Sequence, residues 1–121
     1  MAKRRENARR LTELLAKSDK LKLPEETKEQ RHSWYLYTVR LQNSTESERN
    51  RIVEKLRRKD IGAEVYYFNP VHLMPYYRES YGERKLLETE KAARQVFSLP
   101  IHPNVTDAQA DYIGKTLLDL L

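Results

Sequence analysis

Ser33-Trp34-Tyr35-Leu36-Tyr37-Thr38-Val39-Arg40-Leu41 is the stretch on which the fold turns. Aromatic and β-branched residues fill it, and such side chains suit a pleated, half-buried strand. Side chains alternate across a strand. Trp34, Leu36 and Thr38 are therefore expected on one face, and Tyr35, Tyr37, Val39 and Leu41 on the other. Both faces are partly apolar, so the strand is expected to be central and covered on at least one side. Asn43 and Ser44 close it. Thr45-Glu46-Ser47-Glu48 then fits a capping box, in which Thr45 accepts from the backbone and Glu48 reaches back. The helix that follows is expected to run to about Lys59, with Ile52, Val53 and Leu56 facing inward. Asp60-Ile61-Gly62 ends it, with Gly62 expected as the left-handed stop.

Downstream, Ala63 to Phe68 reads as a second strand. Pro70 and Pro75 interrupt regular structure. Residues 76–81 read as a short helical turn ended by Gly82, and residues 86–95 as a helix with Leu87 and Ala93 among its apolar positions. Val96-Phe97-Ser98-Leu99 reads as a third strand, stopped by Pro100 and Pro103. Thr106-Asp107-Ala108-Gln109 is a second capping box. It opens a helix with Ile113, Leu117, Leu120 and Leu121 on one side. Upstream, residues 3–17 carry Ala8, Leu11 and Leu15 at helical spacing, with Leu14 beside them. Arg4, Arg5, Arg9 and Arg10 lie mostly off that thin stripe. Residues 18–31 read as a mobile linker, broken by Ser18, Asp19 and Pro24. Three strands with flanking helices predict an α+β two-layer sandwich, a small and mostly antiparallel three-stranded sheet covered on one face.

A chain of 121 residues is expected to form one domain around a modest core. It has no cysteine, which excludes disulfides, thiolate catalysis and cysteine-based zinc sites. No run approaches the ~20 apolar residues that span a bilayer. The basic start lacks an apolar stretch behind it, so it does not read as a secretory signal. A soluble cytoplasmic protein is the default expectation. The net charge is +5, and it is unevenly placed. Residues 1–31 hold ten basic and six acidic residues, while residues 32–121 hold thirteen and twelve. A nucleic-acid binder should show a basic face carried by the fold itself. The excess here reads instead as a solvated helix face.

The densest chemistry lies in Tyr66-Tyr67-Phe68-Asn69-Pro70-Val71-His72-Leu73-Met74-Pro75-Tyr76-Tyr77-Arg78-Glu79-Ser80-Tyr81-Gly82. Rigid loops bearing His, Tyr and Arg suit a small-molecule site, with aromatic faces for a ring and Arg78 for a phosphate. The plainer alternative is that Tyr and Pro pack the loop onto the sheet. His32, His72 and His102 are too dispersed for a metal motif. No glycine-rich phosphate loop is present, and none of the ten lysines sits in an apolar context suited to Schiff-base chemistry. Read from its residues alone, the chain is not a persuasive stand-alone enzyme, and no catalytic, cofactor-binding or metal-binding residue is assigned.

His32-Ser33-Trp34-Tyr35-Leu36-Tyr37 resembles the H-x-W-Y-x-[YF] motif that opens the small domain of the DegT/DnrJ/EryC1/StrS aminotransferases. Ile61-Gly62 is similar to the family's pair before its second strand. Pro70-Val71-His72-Leu73-Met74-Pro75-Tyr76-Tyr77 resembles its P-x-H-x-x-P-x-Y loop, and Ser98-Leu99-Pro100-Ile101-His102-Pro103 its S-L-P-x-x-P segment. Residues 3–17 resemble the helix that leaves the family's large domain. Leu87 departs from the family's usual proline, while Glu90 fits its glutamate.

The resemblance covers essentially the whole chain. It implies residues 1–31 as a connecting helix and linker, and residues 32–121 as the C-terminal small domain. The implied parent is a homodimeric, pyridoxal-phosphate (PLP) dependent enzyme that moves an amino group from an amino-acid donor to a keto sugar on a nucleotide. His72 and Tyr76 are the implied substrate contacts, followed by Tyr77, Arg78 and Tyr81. The family's Schiff-base lysine and phosphate-binding residues belong to its large domain. The expectation is thus that this chain binds no cofactor and does not transaminate alone. A small domain by itself, with apolar surface exposed that the large domain covers, is also expected either to self-associate or to have a mobile N-terminal helix.

Two rival readings stand beside this one. The first is a basic binding module for nucleic acid or an anionic ligand, using Arg4, Arg5, Arg9 and Arg10 with stacking tyrosines. The second is a domain that docks on a full-length aminotransferase through Leu11, Leu15 and the last helix.

Overall fold

The computed structural model describes residues 1–121. Helix α1 spans Ala2–Leu15, strand β1 Leu21–Lys22, strand β2 Tyr37–Leu41 and helix α2 Glu46–Arg57. A 3₁₀ turn over Val71–Leu73 leads to helix α3, Pro75–Tyr81. Helix α4, Leu87–Gln95, runs directly into strand β3, Val96–Leu99, and helix α5 covers Asp107–Leu120. The sheet is antiparallel throughout, in the order β1-β2-β3. Tyr37 stands opposite Leu99, Val39 opposite Phe97 and Leu21 opposite Leu41. The fold is α+β, as expected, with the N-terminal helix packed on α5.

Two of the three strands differ from those read in the sequence. The 63–68 segment is not a strand. Only Glu64 pairs, exchanging both backbone hydrogen bonds with Ser98 at 2.7 and 3.0 Å. Ala63 and Val65 point into the core, but Tyr66, Tyr67 and Phe68 are exposed, so the chain leaves the sheet there. The third strand is instead Leu21–Lys22, inside the stretch read as a linker. Leu21 is buried, and the 18–31 segment is tied down further on. The His32 amide donates to Glu26 Oε1 at 2.8 Å, Glu26 also pairs with Arg5, and Arg5 Nη2 donates to the His32 carbonyl at 3.1 Å.

The alternation across β2 is correct from Tyr37 onward, where Tyr37, Val39 and Leu41 are buried. It fails before that. Trp34 takes a left-handed φ of 52°, which turns its ring inward onto the same side as Tyr37. The indole stacks between His32, with centroids 4.2 Å apart, and Tyr37, at 6.0 Å. Tyr35 is thrown outward and lies beneath the Arg4 guanidinium. The α2 stop differs as well. Asp60, at φ 59°, takes the left-handed position, and the Ile61 amide reaches back to the Leu56 carbonyl in a Schellman arrangement. Gly62 has no such role.

Both capping boxes form as read, around Thr45 and Thr106. The core joins 21 apolar residues from every layer, α1 included. Helices α1 and α5 meet along Leu11, Leu15, Ile113 and Leu117, all buried. Their outer edges are laced by Lys3 and Arg10 to Asp107, and by Arg10 to Asp111. Such exposed pairs contribute little each, about 0–1 kcal/mol, so the buried seam carries the packing. Asn7, fully buried on α1, aims Nδ2 at the carbonyls of Ile101, His102 and Val105, 3.2–3.4 Å away. It thereby fastens the proline-bounded 100–105 segment to the N-terminal helix.

Candidate functional site

The loop from Tyr66 to Gly82 leaves the sheet beside Ser98 and folds over α4. Pro70 sets φ at −62° just before the 3₁₀ turn. Pro75 occupies the first turn of α3, where its missing amide leaves no bond unmade. Gly82, at φ 79°, ends α3 in a backbone region that costs a side-chain-bearing residue dearly. Between these fixed points the loop and α4 enclose a groove of about 570 Å³.

His72 stands at the base of this groove with its side chain only 11% exposed. Its Nε2 lies 3.0 Å from Glu90 Oε1 on α4. The same carboxylate oxygen accepts from the Leu86 amide at 3.3 Å. The His72 bond, then the Leu86 bond, hold the Glu90 carboxyl below its ordinary value, so it is ionised near neutrality. A carboxylate can only accept, so His72 Nε2 carries the proton of this bond.

The aromatic wall comes from α3. Tyr77 stacks on Tyr81 with centroids 6.2 Å apart, and Tyr76 meets Tyr77 edge-on at 5.2 Å. Of the five residues singled out in the sequence, His72, Tyr77 and Tyr81 line the groove. Tyr76 sits outside it and is largely exposed. Arg78 also lies outside, held by Glu83 at 2.9 Å. Arg84 lines the groove without an ion-pair partner, and is the cation placed to meet an anion there. Thr89 of α4 also lines the groove, and Glu90 beside it holds His72, neither of them assigned to the site from the sequence. A glutamate on a polar helix reads as a solvated face, and only the fold brings it to a histidine eighteen residues earlier.

The groove floor rests on a residue that sequence reasoning passed over. Arg49 of α2 is fully buried, and its Nη1 donates to the carbonyls of Ala93, at 3.0 Å, and Val96, at 2.6 Å. Both of those residues line the groove. The Phe68 ring covers the guanidinium at 5.5 Å. Burial pushes the Arg49 guanidinium below its ordinary value, with Glu46 acting in the opposite direction.

The remaining candidates are used structurally. His32 Nδ1 accepts from the Trp34 amide at 2.8 Å. Arg5, Arg9 and Arg10 are engaged by Glu26, Glu13, and Asp107 with Asp111. Three of the four arginines of the nucleic-acid reading are thus already neutralised. Leu11 and Leu15, the docking surface of the other rival reading, are fully buried. No group of three or more metal-ligating side chains is gathered anywhere. Tyr37, buried and bonded to Thr12 at 2.7 Å, has its phenol pushed up to about 12 by burial, which suits a packing role. No helix is long and apolar enough to cross a membrane.

Nine of the ten lysines are exposed, and the tenth, Lys3, is paired with Asp107. No lysine is enclosed in an apolar cavity. These residues therefore do not fit a Schiff-base anchor for PLP.

Residues 1–118 match the model of the DegT/DnrJ/EryC1/StrS aminotransferase family. The chain is 33% identical over 119 residues to the pleiotropic regulatory protein of Geobacillus stearothermophilus, covering 96% of this chain and 31% of that one. It superposes on the aminotransferase TlmJ of Streptoalloteichus hindustanus with a TM-score of 0.86 at 26% identity, over 98% of this chain and 31% of that one. It is similar also to ntda of Bacillus subtilis, solved with bound cofactor PMP, with a TM-score of 0.82 at 28% identity, over 98% of this chain and 27% of that one. The chain thus spans about a third of the length of the relatives it matches. With the family model matched nearly end to end, the chain belongs to the DegT/DnrJ/EryC1/StrS aminotransferase family.

Proposed function

We propose that residues 32–121 are the C-terminal small domain of a PLP-dependent nucleotide-sugar aminotransferase, with residues 1–31 as the connecting helix and linker. In this reading the domain completes the substrate site of a cytoplasmic homodimer and is inactive alone. Its partners are the large domain of the parent, the nucleotide sugar and an amino-acid donor. The cofactor sits on the large domain, in keeping with the exposed lysines found here.

The observation that carries this reading is the placement of His72. A histidine on the 3₁₀ turn is half-buried, pinned by Glu90, and set in a groove walled by Tyr77 and Tyr81. Aromatic faces and a fixed imidazole suit a sugar ring with its hydroxyls, and Arg84 suits the nucleotide's phosphates. Tyr76 and Arg78, exposed beside the groove, are assigned to its outer rim, where the parent's other parts approach.

The test is steady-state kinetics on the complete enzyme that carries this domain. Substituting His72→Ala is expected to lower kcat/KM for the keto sugar by about tenfold or more, the equivalent of one hydrogen bond of ~1.4 kcal/mol. The kcat/KM for the amino donor, measured with saturating sugar, is expected to change far less. Equal losses for both substrates would remove His72 from sugar recognition.

A further inference from the structure

We propose that Glu90 is a positioning residue, which keeps the His72 proton on Nε2 and so offers Nδ1 to the groove as an acceptor for a sugar hydroxyl. His72 lines the groove, and its Nε2 meets Glu90 of α4, a residue outside the groove lining. Nε2 is engaged by a carboxylate whose other bond, from the Leu86 amide, fixes its orientation at the start of the helix. The carboxylate is itself only 18% exposed, so solvent does not compete freely for it. A neutral imidazole carries one proton, and the tautomer is set by the hydrogen bond made at the other nitrogen. With Nε2–H committed to Glu90, Nδ1 is left without a partner in the chain.

The consequence is directional. A lone pair at Nδ1 recognises a donor, and the abundant donors on a sugar are its hydroxyls. A phosphate offers only acceptors in its ionised form and belongs instead to Arg84. His72 and Arg84 thereby divide the ligand between them, sugar at His72 and phosphate at Arg84. This division rests on the substrate-site reading above, whereas the tautomer does not.

The test is nitrogen-15 NMR of the histidine rings in the 121-residue chain, at a pH where the imidazoles are neutral. His32 serves as an internal reference, because its Nδ1 already accepts from the Trp34 amide. His72 in the wild-type chain is expected to show one tautomer, with the proton on Nε2. Glu90→Gln is expected to keep it, since the amide oxygen still accepts. Glu90→Leu, similar in volume and a good helix former, is expected to move both ring nitrogens of His72 toward averaged values while His32 stays unchanged. A wild-type His72 protonated on Nδ1 overturns the proposal, and so does a Glu90→Leu chain that retains the wild-type His72 signals. If Glu90→Leu does not fold, the wild-type and Glu90→Gln spectra still decide between the tautomers. An Nε2–H tautomer in an enzyme whose sugar kinetics ignore His72 would sink the substrate reading alone and leave the role of Glu90 intact.

Discussion

Gly114 of α5 lies so close to Leu14 of α1 that a Cβ at position 114 would stand 2.7 Å from Leu14 Cδ1 and 3.1 Å from its Cβ. The seam between these helices therefore depends on a missing side chain. Gly114→Ala gains up to ~1 kcal/mol in helix propensity but forces Leu14 aside, a strain of roughly 1–3 kcal/mol. The expected outcome is a net loss of about 1 kcal/mol, and a larger loss for Gly114→Val. Urea unfolding of the two variants checks this, and a stabilised Gly114→Ala would mean that Leu14 moves freely.

Asn7 makes the second link between α1 and the C-terminal half. Its Nδ2 faces three carbonyls at once. Asn7→Ala removes this donor from the buried Ile101 and Val105 carbonyls, and a buried group left unpaired costs about 1–3 kcal/mol. The loss should appear as a lowered urea midpoint. Hydrogen exchange should quicken first in the 100–105 segment, where the unpaired carbonyls lie.

Arg49 is the corresponding anchor under the groove. Arg49→Lys keeps the charge, but its one nitrogen cannot serve both the Ala93 and Val96 carbonyls, met by Nη1, and Asn50 Oδ1, met by Nε. The expected cost is about 1–3 kcal/mol in global stability. Ala93 and Val96 both line the groove, so on the proposed function an enzyme carrying this domain should also lose affinity for a sugar substrate. Retention of both stability and sugar affinity would show that the guanidinium only fills space.

Acid should weaken the fold through two carboxylates in particular. Glu90 lies below its ordinary 4.5, chiefly through the His72 bond, and Asp107 below its ordinary 3.8, chiefly through Lys3. A carboxyl whose folded-state pKa is depressed stabilises the fold fully above its unfolded value. It loses that contribution as pH falls through the folded value. Stability is thus expected to be level near neutrality and to decline as pH drops below about 4.5. Asp107→Asn should flatten this acid limb, and added salt should shrink the difference from wild type, because the pair is exposed. An identical acid limb in Asp107→Asn would remove the α1–α5 ion pairs from the account.

Much of the fold was legible because its signals are local. A capping box involves four consecutive residues, so Thr45 and Thr106 announce their helices without help from the rest of the chain. The alternation of Tyr37, Val39 and Leu41 likewise records a buried face in the order of residues. Gly82 marks the end of α3 because few other residues tolerate its backbone. The P-x-H-x-x-P-x-Y pattern marked a loop from which His72 and Tyr77 line one groove, together with Tyr81.

What the sequence by itself determined is therefore the helix starts, the central strand, the family and the segment that lines the candidate groove. The tertiary structure alone decided the rest. Leu21–Lys22 becomes a strand only because Leu41 offers an open edge to pair with. The 63–68 segment has strand composition, yet a single residue pairs, because the chain turns off to reach α4. Trp34 joins the face of Tyr37 through one left-handed backbone angle that no alternation rule contains. Asp60 rather than Gly62 supplies the helix stop, and Glu90 finds His72 across eighteen residues. Each of these depends on which distant groups the folded chain brings within a hydrogen bond or a packing contact. Local order along a sequence records propensity and periodicity, but it does not record that proximity.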